Sequence, residues 1–499
     1  MTIRRNPFGP TITLIAARFL SFALTFFIPI VLVRVFDQAT FGAYKQLFLL
    51  FTVLYAIAQM GVAESLYYFI PSNPEKSGGI VLNSAIVLAL AGSLCVGALA
   101  ARASDVAQRL GNPSIAPYVA PIGVFLLLML VTAILEISMV SAKRYTLAAW
   151  TYFSSDVART LFLVVPALVF RTLAALLAGA VAFAALRFLV CVAYLLHEYG
   201  SELRVDLASL RRQLAYALPF ELAIIVDTLQ NNYHQYTVSH AFGVVAFATY
   251  SVGCLQLPFV DFVAGPAANV MMVRMAGDLA RGARANVLEI WRDTTRKLAL
   301  VFFPLFALLV LSSREIILLL FTERYAAAIP VFVLWAGIVP LAVFQTESVL
   351  RVYAKTRFIL LVNVLRLVLI AGAIGWSIRV FGLRGAVLVT LFATAASKAL
   401  SLVRAMRLMP ARAAEILPWN PLIAIAAASA AACLPAWIIK TQVHAPLALL
   451  LVLMGSAFVF SYGALLLAFD LLTPAEREIV ASWLPLPTRD SVEESVVSK

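Results

Sequence analysis

Apolar stretches of about 20 residues or more return from one end of this sequence to the other, and that is the length a helix needs to cross the hydrocarbon of a bilayer. In hydrocarbon every backbone N–H and C=O must be satisfied inside the protein, which leaves helices or a closed barrel. The ~10-residue alternating segments of a barrel are absent. With 63% hydrophobic and 13% charged residues and a mean hydropathy of +0.96, too few polar side chains remain to clothe a soluble surface. The chain reads as an all-α polytopic membrane protein.

Fourteen spans are predicted, at about 11–36, 43–70, 79–103, 117–140, 145–170, 172–197, 214–240, 243–273, 298–321, 326–349, 357–380, 382–408, 418–440 and 445–470. Pro29, Pro166, Pro219, Pro258, Pro304 and Pro340 fall inside them and are expected to kink them. The net charge of +13 does not indicate nucleic acid, because the cations punctuate the apolar runs instead of forming one stripe. Twenty Lys and Arg lie on the loops of one side, against seven on the other. The positive-inside rule then predicts that both termini are cytoplasmic. Cys95, Cys191, Cys254 and Cys433 sit in apolar runs with neither disulfide nor metal spacing. The sequence carries no phosphate-cradling Gly-rich loop, no His pair at metal spacing and no nucleophile elbow. No cofactor and no enzyme chemistry are expected, and no signal-peptide cleavage site follows the first span.

The spans repeat. Glu136 and Glu347 each close an apolar run before a short basic loop, 211 residues apart. Phe41-Gly-Ala-Tyr44 answers Phe247-Ala-Thr-Tyr250 at an interval of 206, and Arg187 answers Lys398 at 211. Six spans per copy leave both copies in one orientation. The expectation is two six-helix lobes, 1–203 and 204–412, related by an axis along the membrane normal, with a substrate site between them near the midplane. Two further spans (413–471) and a cytoplasmic tail (472–499) follow. Gly277–Lys297, rich in arginine yet carrying Leu279, Val287, Leu288 and Trp291, fits either an amphipathic surface helix or a plain linker.

Ionisable residues deep in a span each cost about 2.5–3.5 kcal/mol on the insertion scale, so they face a wet cavity or a partner. Arg18 shares a helical face with Ser21 and Thr25 and reads as an anion-binding residue or as a snorkelling one. Asp156 stands one turn before Arg159, close enough for mutual neutralisation. The matching place before Arg366 is Asn363, which leaves that arginine no built-in acid. Arg187 and Lys398 would together attract a diphosphate, or else pair with an acid on another helix. Asp227 and Asn231 lie on one face with Gln230 and His234, suited to Na⁺, to a cycling proton, or to a polar boundary. Glu64, Glu136 and Glu347 fit gating roles, the last two pairing with loop cations such as Lys143 and Lys355.

The stretches Phe41-Gly-Ala-Tyr44, Gly61-Val-Ala-Glu-Ser-Leu-Tyr-Tyr-Phe-Ile-Pro71, Tyr216-Ala-Leu-Pro219, Thr249-Tyr-Ser-Val-Gly253, Phe321-Thr-Glu-Arg-Tyr-Ala326 and Ala354-Lys-Thr-Arg357 together resemble the Wzx-type polysaccharide flippases. These belong to the multidrug/oligosaccharidyl-lipid/polysaccharide exporter superfamily. The likeness covers roughly residues 10 to 410, with Thr322 where the family usually has glycine. It implies a V-shaped pair of lobes alternating between inward- and outward-open states. It also implies a polyprenyl-diphosphate-linked oligosaccharide as cargo, drawn to a cationic cavity, with proton or Na⁺ coupling. A polysaccharide polymerase and glycosyltransferases would be its pathway partners, beside the membrane lipids around it. A drug/cation antiporter of the same fold is the alternative within the superfamily; a membrane polymerase or ligase acting on the same lipid is the alternative from another class.

Overall fold

The computed structural model describes residues 26–478 apart from 256, 410, 411, 413 and 475, all as helices and short connections. The helices run α1 (Phe26–Val35), α2 (Gln38–Gln59), α3 (Val62–Ser72), α4 (Ser77–Ala101), α5 (Ala103–Arg109), α6 (Ala116–Thr132) and α7 (Ile134–Ser141). Next come α8 (Tyr145–Phe170), α9 (Leu173–Tyr199), α10 (Leu207–Gly253), α11 (Pro258–Ala280), α12 (Arg284–Leu311), α13 (Ser313–Phe321) and α14 (Ile329–Ala336). The series closes with α15 (Ile338–Leu341), α16 (Thr346–Val352), α17 (Thr356–Phe381), α18 (Leu383–Leu408), α19 (Trp419–Ala431), α20 (Cys433–Gln442) and α21 (Leu447–Ala468). Among the described residues, 12 helical stretches are long and apolar enough to cross a membrane. The other two predicted spans are α1, the described end of the first, and the more polar α10.

Most breaks do not fall at prolines. Pro166, Pro219 and Pro304 lie within continuous helices. The chain turns instead at Met60–Gly61, both with positive φ, at Gly243 (φ 77°, ψ 176°), and at Cys254–Leu257, where Pro258 begins α11. The predicted start of span eight at 243 therefore coincides with a true break, while the span itself is interrupted at 254–257. The surface helix or linker expected over 277–297 is neither. Its first residues end α11, a turn passes through Gly282, and the rest forms the opening turns of α12. Trp291 explains this: it is fully buried, and its indole N–H donates to the Ile416 carbonyl at 2.9 Å.

The described chain divides into two compact units. One takes in the described residues up to 255 with Ile317–Trp335 and Thr356–Leu400; the other comprises Leu257–Ile316, Ala336–Lys355 and the described residues from Ser401 on. Lipid offers no hydrophobic drive for one helix to leave it for another, so close packing of small residues has to supply adhesion. In the first unit a Cβ on Gly42 would lie 2.3 Å from the Val244 carbonyl oxygen. One on Gly179 would lie 1.9 Å from that of Phe162, and one on Gly385 2.2 Å from that of Ser377. Gly179 and Gly385 are 206 residues apart and press α9 onto α8 and α18 onto α17, a packing counterpart of the sequence repeat. Gln46 of α2 ties the unit further. Its amide donates to the Leu110 carbonyl (2.9 Å) and to Ser239 Oγ (2.8 Å), and its Oε1 accepts from Asn112 (2.7 Å).

In the second unit the last helices pack on α12 around Met454, Phe458 and Ala436. Lys440 donates to Glu315 at 3.0 Å and to the Leu311 carbonyl at 2.7 Å, and Tyr462 Oη donates to the Leu300 carbonyl at 3.0 Å. Back in the first unit, Arg34 caps the end of α13 by donating to the carbonyls of Leu319 and Leu320, a favourable place for a cation. The next residue, Thr322, has φ 73° and ψ 168°, a region β-branched residues avoid at a cost of about 1–3 kcal/mol. Here the family's glycine has a physical reason. Thr322→Gly should raise the thermal unfolding midpoint of the purified chain, corresponding to about 1 kcal/mol; a lower midpoint would show that the threonine is held without strain.

Candidate functional site: intramembrane charges and two adjoining cavities

Arg187 of α9 spends all five of its donors. Two go to Glu136, at 2.7 and 2.6 Å; Nε donates to Thr132 Oγ1 at 3.1 Å, and the remaining two reach Ser155 Oγ and the Thr132 carbonyl. Glu136, in the first turn of α7, is buried, only 2% exposed. Two expectations are corrected here. Glu136 meets Arg187 and not Lys143, and Arg187 has no donor left for a diphosphate. An isolated buried charge is so costly that removing one partner is worth about 3–5 kcal/mol. The predicted Asp156–Arg159 pair forms within α8 at 2.8 Å. Glu347 lies 3.8 Å from Arg351, one turn on, and not against Lys355.

In α10, both carboxylate oxygens of Asp227 accept from its own helix, from Gln230 at 2.9 Å and Asn231 at 3.1 Å. Asn231 Oδ1 in turn accepts from Arg366 at 3.2 Å. The cation beside this predicted ion site is thus the protein's own guanidinium. His234, on the same sequence face, is fully buried, with Nδ1 2.6 Å from Tyr250 Oη and its ring 5.2 Å from that of Trp335. Lys398 is half-buried on α18. Glu64 accepts from Gln59 just beyond the Met60–Gly61 break. Arg18 lies outside the described residues.

Sequence reasoning passed over Lys45. Its helical neighbours Phe41, Gly42, Phe48 and Leu49 supply no acid, and among the described residues it has no carboxylate partner; the Phe41 ring centre is 5.9 Å from Nζ. The signal was present, a lysine at the head of a span with no polar residue at any i±3 or i±4 position. Its closeness to the start of span two disguised it as a boundary cation. Lys45 lines a cavity of about 340 Å³ with Thr52, Asn232, Gln235 and Ser251, closed by Phe26, Pro29 and Phe321. A second cavity, of about 290 Å³, shares Leu49 and Asn232 with the first. It is otherwise walled by Leu50, Val53, Val106, Leu110, Leu229, Tyr233 and Tyr236, with Arg109 on its lining. Both lie in the first unit. The first has a polar side with a cation in an otherwise apolar wall and the second is almost wholly apolar, which suits an amphiphile with an anionic head. Among the described residues no group of His, Cys, Asp and Glu has the arrangement to hold a metal.

A family model for "Polysaccharide biosynthesis protein" matches residues 31–330. No protein among those with curated functions matches the sequence. A structure of the lipid II flippase MurJ in an inward closed conformation aligns with TM-score 0.72 at 13% identity, covering 92% of this chain and 98% of that one. An inward-facing multidrug resistance MATE family transporter of the MOP superfamily aligns with TM-score 0.59 at 14% identity, over 79% and 96% of the two chains. A MOP superfamily transporter from Pyrococcus furiosus, whose binding pocket is described as having reverse polarity, gives 0.56 at 11% identity over 80% and 94%. At these identities the likeness is one of fold.

Because Arg187 and Glu136 neutralise each other, Arg187→Ala should lower the unfolding midpoint sharply, and Glu136→Ala likewise. The double variant should lose much less than the sum of the two. Additive losses in a double-mutant cycle of thermal stability would show that the pair carries no coupling.

Proposed function

This chain belongs to the polysaccharide biosynthesis protein family, and we propose that it flips a polyprenyl-diphosphate-linked oligosaccharide across the bacterial inner membrane. The observation that carries the reading is the pair of adjoining cavities. Lys45 offers an ammonium to a diphosphate, and Gln235 lines the same polar wall; the apolar cavity beside it takes part of the polyprenyl chain, with Arg109 on its lining. A charge-assisted hydrogen bond away from water contributes about 1.5–3 kcal/mol, so one well-placed lysine is worth roughly tenfold or more in affinity. Arg366 and Lys398, half-buried on α17 and α18, and Arg159 are further candidates for the anionic head, as is Arg18. Arg187 acts as a strut.

In this reading both termini are cytoplasmic, as the loop charges favour. The lobes 1–203 and 204–412 alternate access to the cargo, driven by a proton or Na⁺ gradient, and a polymerase and glycosyltransferases act before and after. Asp227, with Asn231, helps hold Arg366 in register. A cationic-drug antiporter would need a net acidic pocket, and Lys45 opposes it.

Lys45→Ala, expressed at the wild-type level in the native host, should cut surface polysaccharide about tenfold or more and leave lipid-linked oligosaccharide accumulating on the inner leaflet, while Lys45→Arg retains most export. Undiminished export by Lys45→Ala would remove the cationic cavity from the cargo's path. Efflux of a cationic dye lost with the same substitution would favour the antiporter.

A further inference from the structure

Two stretches far apart in sequence meet around Gly61. The Tyr216 ring stacks on Tyr68 (5.1 Å, 12°) and meets Phe69 edge-on at 5.7 Å, and a Cβ on Gly61 would lie 3.0 Å from the Ala217 carbonyl oxygen. That contact brings Glu221 of α10 to the break between α2 and α3, with its Oε2 3.2 Å from the same Cβ position. Glu64 stands three residues further along, in the first turn of α3.

Both carboxyls are incompletely met. Glu221 is only 2% exposed, and its Oε2 has no hydrogen-bond partner; Glu64 gives one oxygen to Gln59, while its Oε2 is buried and unpartnered. Neither forms an ion pair with a lysine or arginine among the described residues. On their own helices neither carboxyl has a lysine or arginine within two turns, and the charges on Pro74–Lys76, which also packs on α3, are the exposed Glu75 and Lys76. α2 brings Tyr55 and Gln59, and α10 brings Tyr216. α7 brings Glu136, already cancelled by Arg187. α4, also packed on α3, carries no carboxylate or cation. A buried Glu221 beside a half-buried Glu64 disfavours ionisation of both carboxyls at once. A Na⁺ ion would ask for several more oxygen ligands than this apolar and aromatic setting contains, whereas a proton needs only the two carboxyls.

We propose that Glu64 and Glu221 share one exchangeable proton across the contact between α3 and α10, and that a proton gradient acts on the chain there. With the proton bound, one carboxyl donates to the other and the two helices stay together at Gly61. On its release, two like charges face each other beside a backbone break and drive α3 away from α10. The coupling role rests on the transport reading above; the proton site stands apart from it and is tested without cargo.

The test is infrared spectroscopy of the purified full-length chain in lipid nanodiscs. At neutral pH the carbonyl stretch of a protonated carboxylic acid is expected, moving to lower frequency in D₂O and titrating away at alkaline pH. Glu64→Gln and Glu221→Gln should each abolish that component. Three results would overturn the proposal: no such band in the wild-type chain at neutral pH, a band that survives in both variants, or a band that NaCl removes at constant pH, which would make the site one for a metal cation. Absence of the band from the wild-type chain overturns the proposal even if a variant fails to fold. A proton band in a chain that exports no polysaccharide would leave the site standing and the cargo reading fallen.

Discussion

A polar group in hydrocarbon has no solvent to fall back on, and the structure is arranged around that deprivation. Backbone groups are satisfied by helix formation, and the helices then have to find one another without water to push them together. The close approaches at Gly42, Gly179 and Gly385 provide the contact, and the Gln46–Asn112–Ser239 network and the saturated Arg187 provide direction. Polar groups placed so that each has one arrangement in which all are met specify a packing more sharply than apolar contact alone.

Against that background the intramembrane charges fall into distinct kinds. Arg187 with Glu136, and Lys440 with Glu315, are locked to partners on other elements and hold helices in place. Asp227, Asn231 and Arg366 form a relay in which each group answers the next. Lys45, Glu64 and Glu221 are unlike either. The first lines a cavity without a carboxylate, and the other two keep buried oxygens that nothing meets. Leaving such groups uncompensated is expensive, and a chain that retains them has them available for a transient visitor.

The all-helical membrane fold was legible because it rests on apolar run length, which a sequence displays directly. The irregular backbone at Thr322 was foreshadowed only by the resemblance, whose family usually has glycine there. The Glu136–Arg187 pair was not: its members sit on different helices, and nothing in either segment names the other. The Asp156–Arg159 pair was, because one helical turn fixes it. Lys45 was overlooked through its nearness to a span end, and Glu221 through its place two residues after Pro219, near the start of a predicted span. Breaks at Met60–Gly61, Gly243 and 254–257 arise from tertiary contacts and a positive φ.

The docking of the last two helices carries a consequence for synthesis. Glu315 enters the bilayer with α13, yet the lysine that meets it is 125 residues downstream. Throughout translation of that interval the ninth span holds an acid with no cation opposite, and only the arrival of α20 completes it. The C-terminal hairpin thus works as the final clasp of a half-built assembly, and a ribosome that stops early leaves Glu315 without the lysine that meets it.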